Sequence, residues 1–251
     1  MAADLPFLAL DPEETVMTVF VTGIDTDIGK TWVTGQLLGV LRQQVAAISM
    51  KLVQTGQEPL PGLAGVSQDL REHRRLAGMP LLPEDLQGLT CPWIFREPAS
   101  PHWAAQKEGE TLQEAALASA VSKLEQRFSW VLCEGAGGVL VPLAPGLTTL
   151  DFVGRRGWPV ILVTTPRLGS INHTWLTIEA VLSRGLTLAA VVVNRSDAWG
   201  ESLRLSLLST LQEFEAQGKV LELFDDPQKN SKGFSKLAQI VLSLRENQTQ
   251  N

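Results

Sequence analysis

"VFVTGIDTDIGKTW", residues 19–32, is the stretch whose reading decides the fold. A short apolar, β-favouring run enters a turn of glycine and aspartate, and Gly29-Lys30-Thr31 then opens a segment of helical period. Strand, glycine-containing loop and helix in that order make a phosphate cradle. Backbone N–H groups of the turn and of the helix N-terminus converge on anionic oxygens, the lysine adds a point charge, and the threonine hydroxyl can ligate magnesium. The strict phosphate-loop pattern sets a glycine five positions before the glycine of the triplet. That position holds Ile24, and the nearest glycine, Gly23, comes one residue early. The stretch is either a loop with an extra residue or a chance Gly-Lys-Thr capping a helix; the order of elements favours the first.

Outward from the loop, short β-rich runs alternate with segments of helical period. After the strand at 18–23, a helix over Lys30–Leu41 puts Val33, Leu37 and Leu41 on one face, and Gly35 and Gly39 would let it approach the sheet closely. Further strands are expected at 45–51, 129–135, 159–165 and 187–194. Residues 111–128 read as a helix opened by a Thr111–Glu114 capping box, with Leu112, Ala116, Ala120 and Leu124 buried. Another runs over 169–185 and stops at Gly185, and the segments 201–218 and 231–247 read as C-terminal helices. Strands apolar at nearly every position, separated by helices, imply a mostly parallel sheet covered on both faces. The expected architecture is a single-domain α/β phosphate-loop NTPase-like fold over 18–246. Residues 1–17 read as an N-terminal extension and 247–251 as a polar tail. Residues 78–103 carry five prolines and read as a long irregular segment of functional kind.

Composition narrows the function. The 251 residues, 44% hydrophobic and 19% charged, are ordinary for a soluble globular chain. A formal net charge of -6 with no basic run argues against nucleic acid as a partner. No apolar run reaches spanning length and the first eighteen residues lack signal-peptide character, so no membrane partner and a cytoplasmic location are expected. Cys91 and Cys133 form no framework and read as free thiols. With the three histidines scattered, no zinc site is expected.

"TGIDTDIGKT" resembles the loop of the dethiobiotin synthetases, which is one residue longer than the strict pattern. Further segments match in family order: "SMKLVQTG" (49–56), Asp69 in "SQDL", "REPASPH" (96–102), "WVLCEGAGGVLVPL" (130–143), "PVILVTTPRLGSINHTWLT" (159–177) and "GLTLAAVVVN" (185–194). The resemblance spans roughly 18–195. It implies synthesis of dethiobiotin from 7,8-diaminopelargonic acid, carbon dioxide or bicarbonate, and MgATP. One amine becomes a carbamate, the carbamate attacks the γ-phosphate, and the second amine closes the ureido ring.

That chemistry can be set against the residues. Phosphoryl transfer is positioning plus electrostatics, so cations should converge on the γ-phosphate. Lys30 is one; Lys51, which alone would read as a solvated strand-end lysine, corresponds to the family's catalytic lysine. Magnesium takes hard oxygen ligands, and Thr31, Asp69 and Glu134 are the candidates. Glu134 ends an apolar strand as a Walker B acid does, whereas Asp69 would equally suit an exposed helix capped by Ser67 or Asp69 itself. By the resemblance, the nucleotide is held by Asp27, Ile28, Gly29, Lys30, Thr31, Trp32, Asp69, Glu134, Gly135, Ala136, Gly137 and Asn194, the last as a base contact. Thr26 and Thr55 match positions touching the substrate. Ser170, Ile171 and Asn172 open a helix whose equivalent, by the resemblance, binds the substrate carboxylate across a homodimer interface. His102 and His173 read as structural and His73 as a surface residue.

The match fades after Asn194. "GKVLELFDDPQKNSKG" (218–233) departs from the family's adenine loop, leaving Leu221, Phe224 and Pro227 as candidate base neighbours and the base preference open. Two other readings share the loop. A cobyrinate-type amide-forming synthetase would need a glutamine-hydrolysing domain or an ammonia-supplying partner, and no nucleophilic cysteine elbow is evident. A chromosome-partitioning or septum-site ATPase would carry an extra lysine near the loop's start, where this chain has Gly23, Ile24 and Asp25.

Overall fold

The structure, a computed structural model, describes residues 15–58, 65–195, 200–224 and 227–248. The sheet strands are β1 (Met17–Gly23), β2 (Ala47–Lys51), β3 (Trp130–Glu134), β6 (Val160–Thr164), β7 (Leu188–Arg195) and β8 (Val220–Phe224). A small antiparallel ribbon joins β4 (Pro142–Ala144) to β5 (Leu147–Thr148). The helices are α1 (Lys30–Leu41), α2 (Gln68–Leu76), α3 (Pro83–Leu86), α4 (Pro101–Lys107), α5 (Glu114–Glu125), α6 (Thr149–Gly154), α7 (Ser170–Leu182), α8 (Glu201–Thr210), α9 (Gln212–Ala216) and α10 (Pro227–Gln248).

The six strands lie in the order β2-β3-β1-β6-β7-β8, every pairing parallel. Every residue of β1, β2, β3 and β6 is buried, as strands covered on both faces must be. Alternate residues of β7 serve opposite faces: Ala190 and Val192 join the larger core, Val191 and Val193 a second core closed by α7, α8 and α9. From β1 the chain crosses to β2 on one side, and after β3 it crosses to β6 on the other. Strand β1 is therefore the point where the winding reverses and ligands bind in such sheets. Register places the chemistry there. Lys51 pairs with Glu134, and Val21, two residues before Gly23, also pairs with Glu134, so three strands end together.

Several local expectations give way. Gly35 and Gly39 do not bring α1 onto the sheet. A Cβ on Gly35 would stand 2.8 Å from the Cβ of Leu76, and one on Gly39 would stand 3.1 Å from the Cα of Ala77, so both admit α2. The capping box at Thr111 is absent: α5 starts at Glu114 after an uncapped Gln113. Leu117 and Val121 join the expected Ala120 and Leu124 on the buried face, while Ala116 is only half-buried at its edge. The expected helix over 201–218 is two, α8 and α9, broken at the fully buried Leu211. Strand β8, inside 218–233, was not foreseen; as the edge strand it is buried only at alternate residues. Most of residues 1–17 and the end of the tail lie outside the described residues.

Candidate active site

The loop after β1 is tight because small residues leave room for it. A Cβ on Gly23 would run into the side chain of Ile28, which is buried beneath the loop. Asp27 has φ 55° and Gly29 φ 92°, and a Cβ on Gly29 would overlap the amide of Asn194. Asn194 Nδ2 in turn donates to the Ile28 carbonyl at 3.0 Å. Gly29 is the N-cap of α1 and supplies no side-chain cap, so the first-turn amides of a twelve-residue helix are left for an anion.

A cavity of about 510 Å³ opens over this loop. Lys30, Thr31, Lys51, Asp69 and Glu134 all line it. Lys30 comes from the first turn of α1, Lys51 and Glu134 from the paired ends of β2 and β3, and Asp69 from the first turn of α2. The Lys51 ammonium lies 2.5 Å from Asp69 Oδ2 and 2.7 Å from Glu134 Oε1, and donates to the Gly135 carbonyl at 3.2 Å. Thr31 Oγ1 donates to the same Glu134 oxygen at 3.0 Å. Lys30 Nζ donates to the Asp25 carbonyl at 2.6 Å.

Burial and neighbours set the charges. Burial alone would lower the Lys51 pKa, but Glu134 and Asp69 outweigh it and hold the ammonium above its ordinary range. Burial opposes ionisation of Glu134 too, yet Lys51 and then His73 hold it well below the usual carboxylate range. Lys30 goes the other way: burial, then the nearby Lys51, depress it to about 8. Both cysteines are buried free thiols, Cys91 pushed up to about 12 by burial.

Thr26, Asp27, Gly29 and Trp32 also line the cavity, as do Thr55, Ala136 and Gly137. Trp32 at the same time packs edge-on against Phe234 of α10, ring centroids 5.2 Å apart. Thr26, Asp27, Thr55, Ala136 and Gly137 are shared with an adjoining cavity of about 630 Å³, walled on its far side by Pro98, Ala99 and Ser100. Those three sit in a segment singled out in the sequence without a role for any residue.

Other candidates stand apart. Gly135 lies under the cavity, where a Cβ would meet the Phe20 ring at 2.6 Å. Ser170, Ile171 and Asn172 line neither cavity among the described residues. They open α7 beside a third cavity, bordered by Ile24, Asp25, Leu140, His173 and Leu176. Leu221 is taken up in the core, Phe224 closes β8 half-buried, and Pro227 opens α10.

The sequence reading missed what holds Asp69 and Glu134. His73, expected at the surface, is fully buried; Nε2 lies 2.7 Å from Glu134 Oε2 and Nδ1 3.0 Å from Ser49 Oγ. Its neighbour Arg74 forms a buried two-pronged pair with Asp85, at 2.9 and 2.7 Å. The Ser67 N-cap donates to Gln54 at 2.7 Å, and Gln57 binds both the Val66 carbonyl and the Gln68 amide, so two glutamines dock the start of α2. Periodicity offered a signal: Leu70, His73 and Arg74 follow the spacing of one helix face.

The profile of a family described as an AAA domain matches residues 17–223. The ATP-dependent dethiobiotin synthetase BioD 2 of Haemophilus influenzae is 41% identical over 177 residues, 70% of this chain and 90% of that one. The counterpart from Haemophilus ducreyi is 41% identical over 200 residues, 79% and 92%. The BioD of Chlorobaculum tepidum is 46% identical over 176 residues, 70% and 71%. Among solved structures, a plasmid partition protein from Borrelia burgdorferi superposes with a TM-score of 0.53 at 11% identity, over 92% of this chain and 99% of that one. The MinC:MinD cell division complex of Aquifex aeolicus gives 0.53 at 11%, over 91% and 96%. At such identity these two establish the fold alone. The relatives at 41–46% identity go further: the chain belongs to the ATP-dependent dethiobiotin synthetase family.

Proposed function

We infer that the protein is an ATP-dependent dethiobiotin synthetase, a ligase of biotin biosynthesis that closes the ureido ring on 7,8-diaminopelargonic acid with carbon dioxide and ATP. Besides the kinship, one observation carries the reading. Two lysines, two carboxylates and a threonine hydroxyl meet over an anion-binding helix start, in a cavity that shares residues with a second one, lined by small residues and, among them, the carboxylate of Asp27. The first cavity suits the triphosphate and the second a short diamine.

The donor set fits magnesium. Thr31, Asp69 and Glu134 offer hard oxygens only. Among the described residues no three acidic, histidine or cysteine side chains gather to cage an ion, so the rest of the shell falls to phosphate oxygens and water, as Mg²⁺ prefers. Bound there with ATP, the ion would neutralise phosphate charge. Thr31, Asp69 and Glu134 would hold it.

In this reading the first-turn amides of α1 and Lys30 bind the β- and γ-phosphates. One substrate amine takes up carbon dioxide and loses a proton, and the carbamate oxygen attacks the γ-phosphorus as ADP leaves. Lys51, kept as an ammonium by Asp69 and Glu134, stabilises the charge shared between carbamate and phosphoryl oxygens. The second amine then attacks the carbamoyl carbon and phosphate departs. Thr26 and Thr55, on the boundary of the two cavities, orient the diamine.

The start of α7 serves the neighbouring subunit of a homodimer, where its uncapped amides, with Ser170, Ile171 and Asn172, receive the substrate carboxylate. Supporting this, Leu168 is 87% exposed, and Leu140, Trp175 and Leu176 add exposed apolar surface on this side of the chain. No helix among the described residues is long and apolar enough to cross a membrane. Two buried free thiols and the use of ATP as co-substrate support a cytoplasmic enzyme.

Purified protein given MgATP, bicarbonate and the diamine should release dethiobiotin and phosphate together, with parallel runs in other triphosphates reading the base preference. Hydrolysis that proceeds equally without the diamine would replace this reading with a nucleotide-driven switch of the partition type.

A further inference from the structure

We propose that His73 is a positioning residue for magnesium binding: it holds one oxygen of Glu134 so that the other is presented, together with Thr31, to the metal–nucleotide complex. The proposal rests on the assignment of Glu134 as a metal ligand. It adds a residue that neither the loop motif nor the strand-end acid contains.

The hydrogen-bonding capacities of Arg74, Ser49 and His73 favour one direction along the chain. Arg74 Nη1 lies 2.7 Å from Ser49 Oγ and can only donate, so the serine oxygen accepts there and its hydrogen is free. Ser49 is fully buried, and His73 Nδ1 at 3.0 Å is placed to accept that hydrogen. With Nδ1 accepting, Nε2 carries the ring proton and donates to Glu134 Oε2 at 2.7 Å. The chain Arg74–Ser49–His73–Glu134 is thus polarised one way. It is anchored at its far end by the pairing of Arg74 with Asp85, which also accepts from Thr90 Oγ1 and the Leu82 amide. Glu134 Oε1 is left facing Lys51 and Thr31. A carboxylate otherwise turns about its last torsion at little cost. Here one oxygen is tied inward, so the outward one is available in a single orientation. Outer donors of this kind are what hold metal-binding carboxylates, and their removal typically costs about 10–100-fold in metal affinity.

The test measures ADP binding by calorimetry at increasing Mg²⁺ and in EDTA, on the full chain. His73→Asn puts its amide nitrogen near the Nδ1 position, out of reach of Glu134. It should raise the Mg²⁺ concentration for half-maximal effect by about 10–100-fold and leave ADP affinity in EDTA unchanged. His73→Gln, whose amide reaches the Nε2 position, should stay within a few-fold of the parent. His73→Leu, which keeps the volume against α1 without a donor, should behave as His73→Asn, and Glu134→Gln serves as the reference. If Glu134→Gln shifts the Mg²⁺ dependence while His73→Asn and His73→Leu do not, the inference about His73 fails and the ligand assignment survives. If Glu134→Gln has no effect, the ligand assignment fails and takes the inference with it. Equal losses in EDTA and in Mg²⁺ for all three His73 variants would make the histidine a packing residue only.

Discussion

Lys51→Gln separates the electrostatic account of the site from a merely structural one. The substitution removes an ammonium that lies 2.7 Å from a fully buried carboxylate and 2.5 Å from a second carboxylate that is 24% exposed. Stripping one partner from a buried pair costs about 3–5 kcal/mol. The lower end, about 3 kcal/mol, applies here because Thr31 and His73 still donate to Glu134 and the more exposed Asp69 is screened by water. The pH profile follows from the directions of the two shifts. Glu134 is depressed below its ordinary 4.5, so its contribution is full above 4.5 and is lost as pH falls. Lys51 is raised above its ordinary 10.5, so its share is full below 10.5 and is lost only as pH climbs beyond it. The stability gap between parent and variant should be flat from pH 6 to 7, below the range in which Lys30 titrates, and narrow by about 1 kcal/mol between pH 5 and 3.5. Urea unfolding across that range measures it. Turnover at neutral pH should fall by about 10²–10³-fold, with nucleotide affinity little changed. A gap under about 1 kcal/mol, the size of an exposed pair, or one that stays constant down to pH 3.5, would refute the account of Lys51 as the buried counter-charge of Glu134.

Three further outcomes are expected. Lys30 must be charged to hold phosphate and has a pKa of about 8, so metal-free ADP affinity should be level at lower pH and fall as pH rises through that value, approaching tenfold per unit; calorimetry from pH 6.5 to 9.5 reads this. Gly29→Ala forces a side chain into left-handed backbone and against Asn194, and should cost at least about 1–2 kcal/mol in urea unfolding. Adding Asn194→Ala should recover only the steric part. On the proposed homodimer, Leu176→Arg on the exposed side of α7 should lower the mass seen in sedimentation to that of one chain, weaken diamine binding and leave ADP binding intact; a parent that already sediments as one chain would overturn the proposed dimer, and an unaltered dimer in the variant would place the interface elsewhere.

Which features were legible in the sequence follows from the range over which each is written. The loop, α1 and the buried strands are local patterns, and each formed where its period and turn residues put it. Gly35 and Gly39 announced a close approach but not to what, since the partner, α2, lies far along the chain. His73 shows the limit most sharply. Its spacing from Leu70 marked a buried face, yet polar side chains on that face read as solvated until an acceptor is known, and the acceptor is sixty-one positions away.

By itself, the order of residues determined that strands alternate with helices, that a lysine-bearing glycine turn follows the first strand, and which family the motifs resemble, because propensity, period and turn chemistry act over a few neighbours. Only the tertiary structure decided that β3 enters the sheet between β1 and β2. That pairing puts Lys51 opposite Glu134, packs α2 on α1, and buries His73 and Arg74 behind the carboxylate. Strand neighbours are chosen by how whole faces of sheet and helix shed water together, a sum over the molecule that no short window of sequence contains.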